Sequence, residues 1–308
     1  EGDINQIKTI TKAEMTAVLA RASASASRID ALSKQIIATG TSVVNVPEEC
    51  DLNEAVKVVH LVNKTTSATD RRIITIVVGR GNHQIDGASG TNRWDAPWGG
   101  RLQIFSTMNI VGDPKVLKEQ IVVLGGISFE KGIQGNCRLQ NMSLCCAKEN
   151  GVAGESSFTM EDVIVQSCGG DGVWAVGTGV VGRCINVKVS QSEGSGMVAS
   201  SGATITLIGA ETTVNINCLD EWGDQNYGLK VKGSFSTIQL VSPLTKEQVS
   251  LDHGEGGNWG ADDGWEGGTA NINQIKTIAA TTISSSSSSV AAAGAPGGET
   301  KSNHFDYM

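Results

Sequence analysis

The chain has 308 residues, a formal net charge of −8 and a pI near 5.1, with 38 Gly, 5 Pro, 4% aromatic and 18% charged residues. Phosphate neutralisation needs clustered Lys and Arg, and without such a cluster nucleic acid is excluded as a partner. No apolar run approaches the roughly 20 residues of a membrane helix, and a stretch such as Ile121–Leu124 is strand length. A Gly-rich, aromatic-poor balance suits many short strands joined by tight turns better than a helical bundle. The 7 cysteines (Cys50, Cys137, Cys145, Cys146, Cys168, Cys184, Cys218) are an odd number, so a full disulfide framework is not implied, and they read as small buried hydrophobes. The chain begins at Glu1 without Met, as after removal of a targeting segment or in a fragment, and a secreted or cell-surface setting is favoured over the cytoplasm.

The first predicted element is a helix from about Thr11 to Ala38, where Thr11 and Glu14 form a capping-box pattern and Met15, Val18, Leu19, Ala22, Ile29, Leu32 and Ile36 recur at helical spacing. Its polar face is Ser and Ala rather than basic, so its apolar stripe is expected to pack on protein. Residues 1–42 form this N-terminal strand and helix segment. A strand over Val43–Val46 precedes a short helix capped by Asp51 and carrying Leu52, Ala55, Val56, Val59 and Leu61. Strands follow over Ile73–Gly79 and His83–Gly87, with a turn at Gly81-Asn82.

From Arg101 to Leu251 short apolar strands repeat without helical patterns between them, which argues against βαβ units. Gly151-Val152, Gly172-Val173, Gly196-Met197 and Gly228-Leu229 recur in step, and Met142–Leu144, Val163–Val165, Val187–Val189 and Val214–Ile216 recur ahead of them. Stacked as coils, this alternation turns the outer member of each triplet inward and leaves Ser143, Ile164, Lys188 and Asn215 outside. The longer last step leaves an insertion at Asp220–Asn226. The fold class is therefore all-β, a parallel β-helix solenoid over residues 43–278, with the Asp51 helix as a cap. A Ser/Ala/Gly-rich tail, 279–308, cannot bury enough apolar surface to offset ordering entropy and is expected to be disordered. The heptapeptide Ile-Asn-Gln-Ile-Lys-Thr-Ile occurs at Ile4–Ile10 and again, unchanged, at Ile272–Ile278. It points either to one unit of a tandem array or to two terminal strands with the same role.

The order of strand, short helix, strand, turn and strand resembles the N-terminal cap and first coil of the right-handed, pectin-lyase-like β-helix superfamily. Within it, Gly132–Cys137, Gly179–Cys184 and Ile238–Thr245 resemble uncharacterised β-helix proteins of unicellular algae. The resemblance implies a fold and no known activity. Lyases of this fold gather acidic Ca²⁺ ligands and a base on one exposed strand face. Here the column Asn141, Asp162, Asn186, Thr213 supplies one carboxylate, with Glu161 beside it and Arg183 and Lys188 a coil away. Hydrolases of the fold use paired Asp residues, and Asp171 between glycines is the candidate, although a tight turn wants the same residue. The four histidines, His60, His83, His253 and His304, have no triad or metal spacing. His60 is expected to pack on its helix and His83 to sit in a strand edge.

Two further stretches have binding chemistry. Asp252, Glu255, Asp262, Asp263 and Glu266 lie among glycines and could hold Ca²⁺, with a solvated acidic loop as the competing reading, and no other cofactor is implied. Trp259 and Trp265 in that stretch, and Trp94 and Trp98 earlier, are candidates to stack on sugar rings. The sequence thus favours a non-catalytic structural or interaction protein whose partners are protein subunits or polysaccharide. The alternatives are a carbohydrate-active enzyme (lyase, epimerase or hydrolase) and a carbohydrate-binding module. A tight cluster of three acidic residues and a base in one groove would overturn the non-catalytic reading.

Overall fold

The computed structural model describes residues 12–67, 73–86, 100–219, 225–254, 256–263 and 269–280. The chain starts with α1 (Lys12–Thr39), β1 (Val43–Val46) and α2 (Leu52–Thr65). The first two turns are β2 (Ile74–Val78), β3 (Gly81–Gln84) and β4 (Arg101–Ile104), then β5 (Met108–Gly112), β6 (Ile121–Leu124) and β7 (Gly126–Phe129). Two turns with long strands follow, β8 (Cys137–Cys145) with β9 (Val152–Gly154) and β10 (Phe158–Gln166) with β11 (Val173–Val176). Next come β12 (Val181–Ile185), β13 (Lys188–Ser190) and β14 (Met197–Ser200), then β15 (Thr204–Ile208), β16 (Thr213–Asn215) and β17 (Leu229–Lys232). The last described turn holds β18 (Thr237–Val241), α3 (Lys246–Val249), β19 (Ser250–Leu251) and β20 (Trp259–Asp262), before β21 (Ile275–Ile278).

Every pairing is parallel and joins each strand to its counterpart one turn away, in a 14-stranded and a 7-stranded sheet. The larger sheet is bent into two faces, because β8 and β10 continue through a corner where Asn141 and Asp162 take left-handed φ of 54° and 53°. Alternation along each strand sends one set of side chains inward, where Val44, Ile76, Ile110, Leu139, Met160, Cys184, Leu207 and Leu240 are fully buried in successive turns. Such columns of aliphatic side chains are the dominant stabilising element, at about 25 cal/mol per Å² of apolar surface removed from water. The rings of Phe129 and Phe158 stack in adjacent turns with centroids 5.4 Å apart.

The register confirms the Gly column: Val152, Val173, Met197 and Leu229 pair in succession. The second column departs from expectation. Val214 pairs with Val189 instead of Val187, because Lys188 faces Thr213. This slip of two residues keeps Val214 inward, since the side-chain period is two. Ile216, expected inside, instead occupies a corner with φ 51° and is 45% exposed. Ser143, expected outside, is buried under the turn before β6 and donates from Oγ to the Lys118 carbonyl at 3.0 Å. Gly81 and Asn82, expected to turn, belong to β3.

Asp51 caps α2 with a capping box, accepting from the Glu54 amide at 2.8 Å. The buried face of α2, including Leu52, Ala55, Val59 and Val62, covers β1 and β2 at the first turn. α1 lies on α2 through Ile29, Leu32 and Ile36, and Arg28 pairs with Glu54 at 2.9 Å. His60 does not simply pack on its helix: it reaches the loop after β4, with Nδ1 3.0 Å from Ser106 Oγ and its ring against Phe105. His83 sits in β3, which pairs with β6 alone. No helix of the described residues is long and apolar enough to cross a membrane.

Candidate functional site

The first-sheet candidates are held apart in local pairs. Glu161 is bonded to Arg138 of the preceding turn, and Lys188 Nζ lies 3.8 Å from Glu211. Arg183 pairs by register with Thr159. Asp162 stands at the corner between Asn141 and Asn186, all three with φ between 52° and 54°, where Asn and Asp are favoured by left-handed backbone. Asn141 Nδ2 donates to the Asp113 and Val116 carbonyls at 3.0 and 3.2 Å, so this column satisfies the corner's own backbone.

The smaller sheet presents a different surface. Its outward column runs Trp174, Val198 and Lys230 in one register and Val176, Ser200, Lys232 and Asp262 in the next. Outward residues of a sheet ordinarily meet solvent, yet Val198, Ser200 and Lys230 are 3%, 6% and 9% exposed. They form the floor of a groove of about 420 Å³ whose lining includes Asp171, Trp174, Asn226, Lys230, Lys232 and Asp263. Lys230 Nζ donates to the Gln225 carbonyl at 2.8 Å and lies 3.4 Å from Asp262, and Lys232 Nζ lies 3.8 Å from the same carboxylate.

Asp171 sits at the groove's edge in a ladder of side chains that cap the next turn. Asn150 Oδ1 accepts from the Asp171 amide at 2.9 Å, and Asp171 Oδ1 accepts from the Ser195 amide at 2.7 Å. Burial raises the Asp171 carboxyl above the usual carboxylate range, against the Ser195 amide and the nearby Lys230 and Lys232 cations, which pull it down. A groove floored by an indole and aliphatics and rimmed by carboxylates, an amide and ammonium groups suits a hydroxyl-rich ligand. In general an indole ring can stack on C–H faces, and carboxylate, amide and ammonium groups can exchange hydrogen bonds with hydroxyls. A larger cavity of about 590 Å³, lined by His60, Ile73, Phe105 and Thr107 among others, has fewer charged groups, with Lys64 the one cation in its lining.

Of the residues singled out in sequence, Asp171 and Asp263 line the groove and Asp262 stands in the outward column beside it, against Lys230 and Lys232, so that no three acidic side chains close into one cluster among the described residues; Trp174, Lys230 and Lys232 were missed. Trp259 stands in the core-facing register of Met197 and Leu229, with the Lys246 ammonium 4.9 Å from its ring centre. Asp252 is exposed at a corner with φ 57°. Asp263 Oδ1 accepts from the Ala270 amide at 2.9 Å. Among the described residues no three His, Cys, Asp or Glu side chains converge as a metal site. Glu255, Trp265, Glu266, Trp94, Trp98 and the segment 281–308 lie outside the described residues. The cysteines are all free thiols, and burial pushes Cys168 and Cys184 up to about 12.

His253 has a structural part. Its Nδ1 accepts from the Asn217 amide at 3.2 Å and Nε2 lies 3.0 Å from the Val214 carbonyl, joining two turns. Burial holds its pKa below the ordinary value of 6.5, against the Val214 bond and the Asp252 charge, which raise it. The unfolded chain therefore binds the proton more readily, so this contribution is present above pH 6.5 and is lost as pH falls below it toward the depressed folded value. Thermal melts at pH 7.5 and 5.5 are expected to show a lower Tm at the acid pH, with a smaller difference in His253→Gln. An unchanged difference in the variant would assign the slope to other groups.

Compared with protein-family models, with curated proteins and with solved structures, the chain matches none.

Proposed function

We propose that the chain is a right-handed, pectin-lyase-like β-helix solenoid and a non-catalytic interaction protein whose smaller sheet binds a neutral polysaccharide. The observation that carries this is the recessed groove in which Trp174 lies beside Asp171, Asn226, Lys230 and Asp263. Lys230 and Lys232 have Asp262 between them and Asp171 and Asp263 in the same groove, so the carboxylates there match or outnumber the ammonium groups and the groove does not single out a polyanion. The parallel columns, with steps of 21 and 24 residues from Cys137 to Phe158 to Gly182, support the solenoid.

One observation favours a second reading, glycoside hydrolysis: Asp171 has a raised carboxyl pKa, as a general acid requires, and Asp263 lines the same groove. Binding is the stronger reading because Asp171 does for Ser195 what Asn150 does for Asp171, a task that needs no proton transfer. For the same reason Asp171→Asn keeps the ladder. Binding to mixed-linkage β-glucan, xylan and polygalacturonate by calorimetry is expected to show one of the neutral glycans held, with affinity lowered at least tenfold in Trp174→Ala. Release of reducing ends by the natural chain and not by Asp171→Asn would establish the hydrolase instead. Absence of binding to every neutral glycan would overturn both.

A further inference from the structure

The repeated heptapeptide acquires a structural meaning at its second copy. Ile272–Gln274 form a short 3-10 turn and Ile275–Ile278 form β21, the last strand of the larger sheet, which pairs with β18. Among the described residues no strand continues the sheet beyond β21, β19 or β20. Apolar side chains are left at this end of the stack, with Leu251 46% and Ile272 39% exposed. A sheet edge with no further strand among the described residues is a template for further association.

The opposite end carries the complement. The stripe that seats α1 on α2, Ile29, Leu32 and Ile36, continues at the same three- and four-residue spacing through Ala22 to Leu19, Val18 and Met15. These last three are 63%, 57% and 48% exposed. At about 1.5 Å per residue, the stretch from Met15 to Ala24 extends the helix about 15 Å past the residues that meet α2. Every side chain of that stretch is exposed, so the outer third of α1 carries an apolar face that no described residue covers.

The sequence supplies the partner. The first copy of the heptapeptide ends at Ile10, two residues before α1 begins at Lys12. The sequence of the sheet's last strand therefore stands directly ahead of the helix whose outer third no described residue covers. The molecule already uses this order at its other end, where β1 runs into α2 and α2 folds over β1 and β2. We infer that the Met15–Leu19 face of one molecule docks on the β18–β21 end of a second copy of the same chain, as α2 docks on the first turn. The interface is head-to-tail: each copy has one helical face and one open end, so association continues into open chains unless the rotation closes a ring.

The test is a complementation in solution with the full chain. Sedimentation velocity from 1 to 500 µM is expected to show the average mass rising with concentration past that of a dimer. Leu19→Asp and Ile272→Asp, at opposite ends of the molecule, are each expected to stay monomeric over that range while keeping the parent circular-dichroism spectrum and melting temperature. Mixed in equal amounts, they should form a dimer that grows no further, because each retains one intact face. A parent chain monomeric throughout, association of Ile272→Asp like that of the parent, or mixed variants that remain monomers would each overturn the inference. None of these outcomes depends on glycan binding.

Discussion

Replacing Gly196 by alanine is expected to destabilise the protein by about 3 kcal/mol, the upper end of what overpacking a close-packed interior usually costs. A Cβ on Gly196 would run into a methyl of Val214 and stand 2.6 Å from the Gly228 carbonyl oxygen and 2.9 Å from Asn217 Nδ2. The carbonyl is not free to retreat, because it accepts the Met197 amide at 2.9 Å in the ladder between turns. The same crowding recurs down the column, with the Gly172 carbonyl 2.8 Å from a Cβ on Gly151 and the Gly196 carbonyl 2.7 Å from one on Gly172. Urea unfolding of Gly196→Ala should show the loss as a lower midpoint at unchanged slope. A loss below about 0.5 kcal/mol would mean that the turns are less tightly stacked than described here.

Asn217→Ala is expected to cost about 2–3 kcal/mol, from buried polar groups left without partners. The Asn217 side chain is fully buried, accepts from the Ser192 amide at 3.0 Å, and donates to the Asn215 carbonyl at 3.0 Å and the Val189 carbonyl at 3.4 Å. Its own amide is the donor to His253, so one residue ties the turn of β13 to the turn of β19. Asn217→Asp tests the direction of these bonds: it keeps the acceptor for Ser192 but turns a donor toward two carbonyls into an acceptor. Chemical denaturation should find it at least as unstable as Asn217→Ala at pH 7. A variant as stable as the natural chain would remove Asn217 from the network.

Much of the strand pairing is readable in the sequence because parallel strands added one after another repeat their register. Once Val152, Val173, Met197 and Leu229 align, the strands of the smaller sheet fall into place, as the pairings of β9, β11, β14 and β17 bear out. The slip at Val214 escaped notice because a shift of two preserves inside and outside, so polarity alone cannot detect it. The slipped register sets Ile216 opposite Gln191 at a corner where both residues take left-handed φ, so strand alternation no longer applies to it. The groove is legible in principle: Leu229-Lys230-Val231-Lys232 alternates apolar with cationic, and counting back from Lys230 lands on Val198 one strand away and Trp174 two strands away. What no pattern indicates is that outward residues would be recessed, since that depends on Gln225 and Asn226 at the end of an insertion.

The central claim, that the smaller sheet's groove is where a glycan sits, is tested most directly by oxidative footprinting. The natural chain is exposed to hydroxyl radicals with and without the polysaccharide found to bind, and the oxidation of each tryptophan is read by mass spectrometry. Trp174 is expected to be protected at least severalfold, while Trp259, packed under Lys246, changes little. Protection elsewhere with Trp174 oxidised at its free rate would contradict the account.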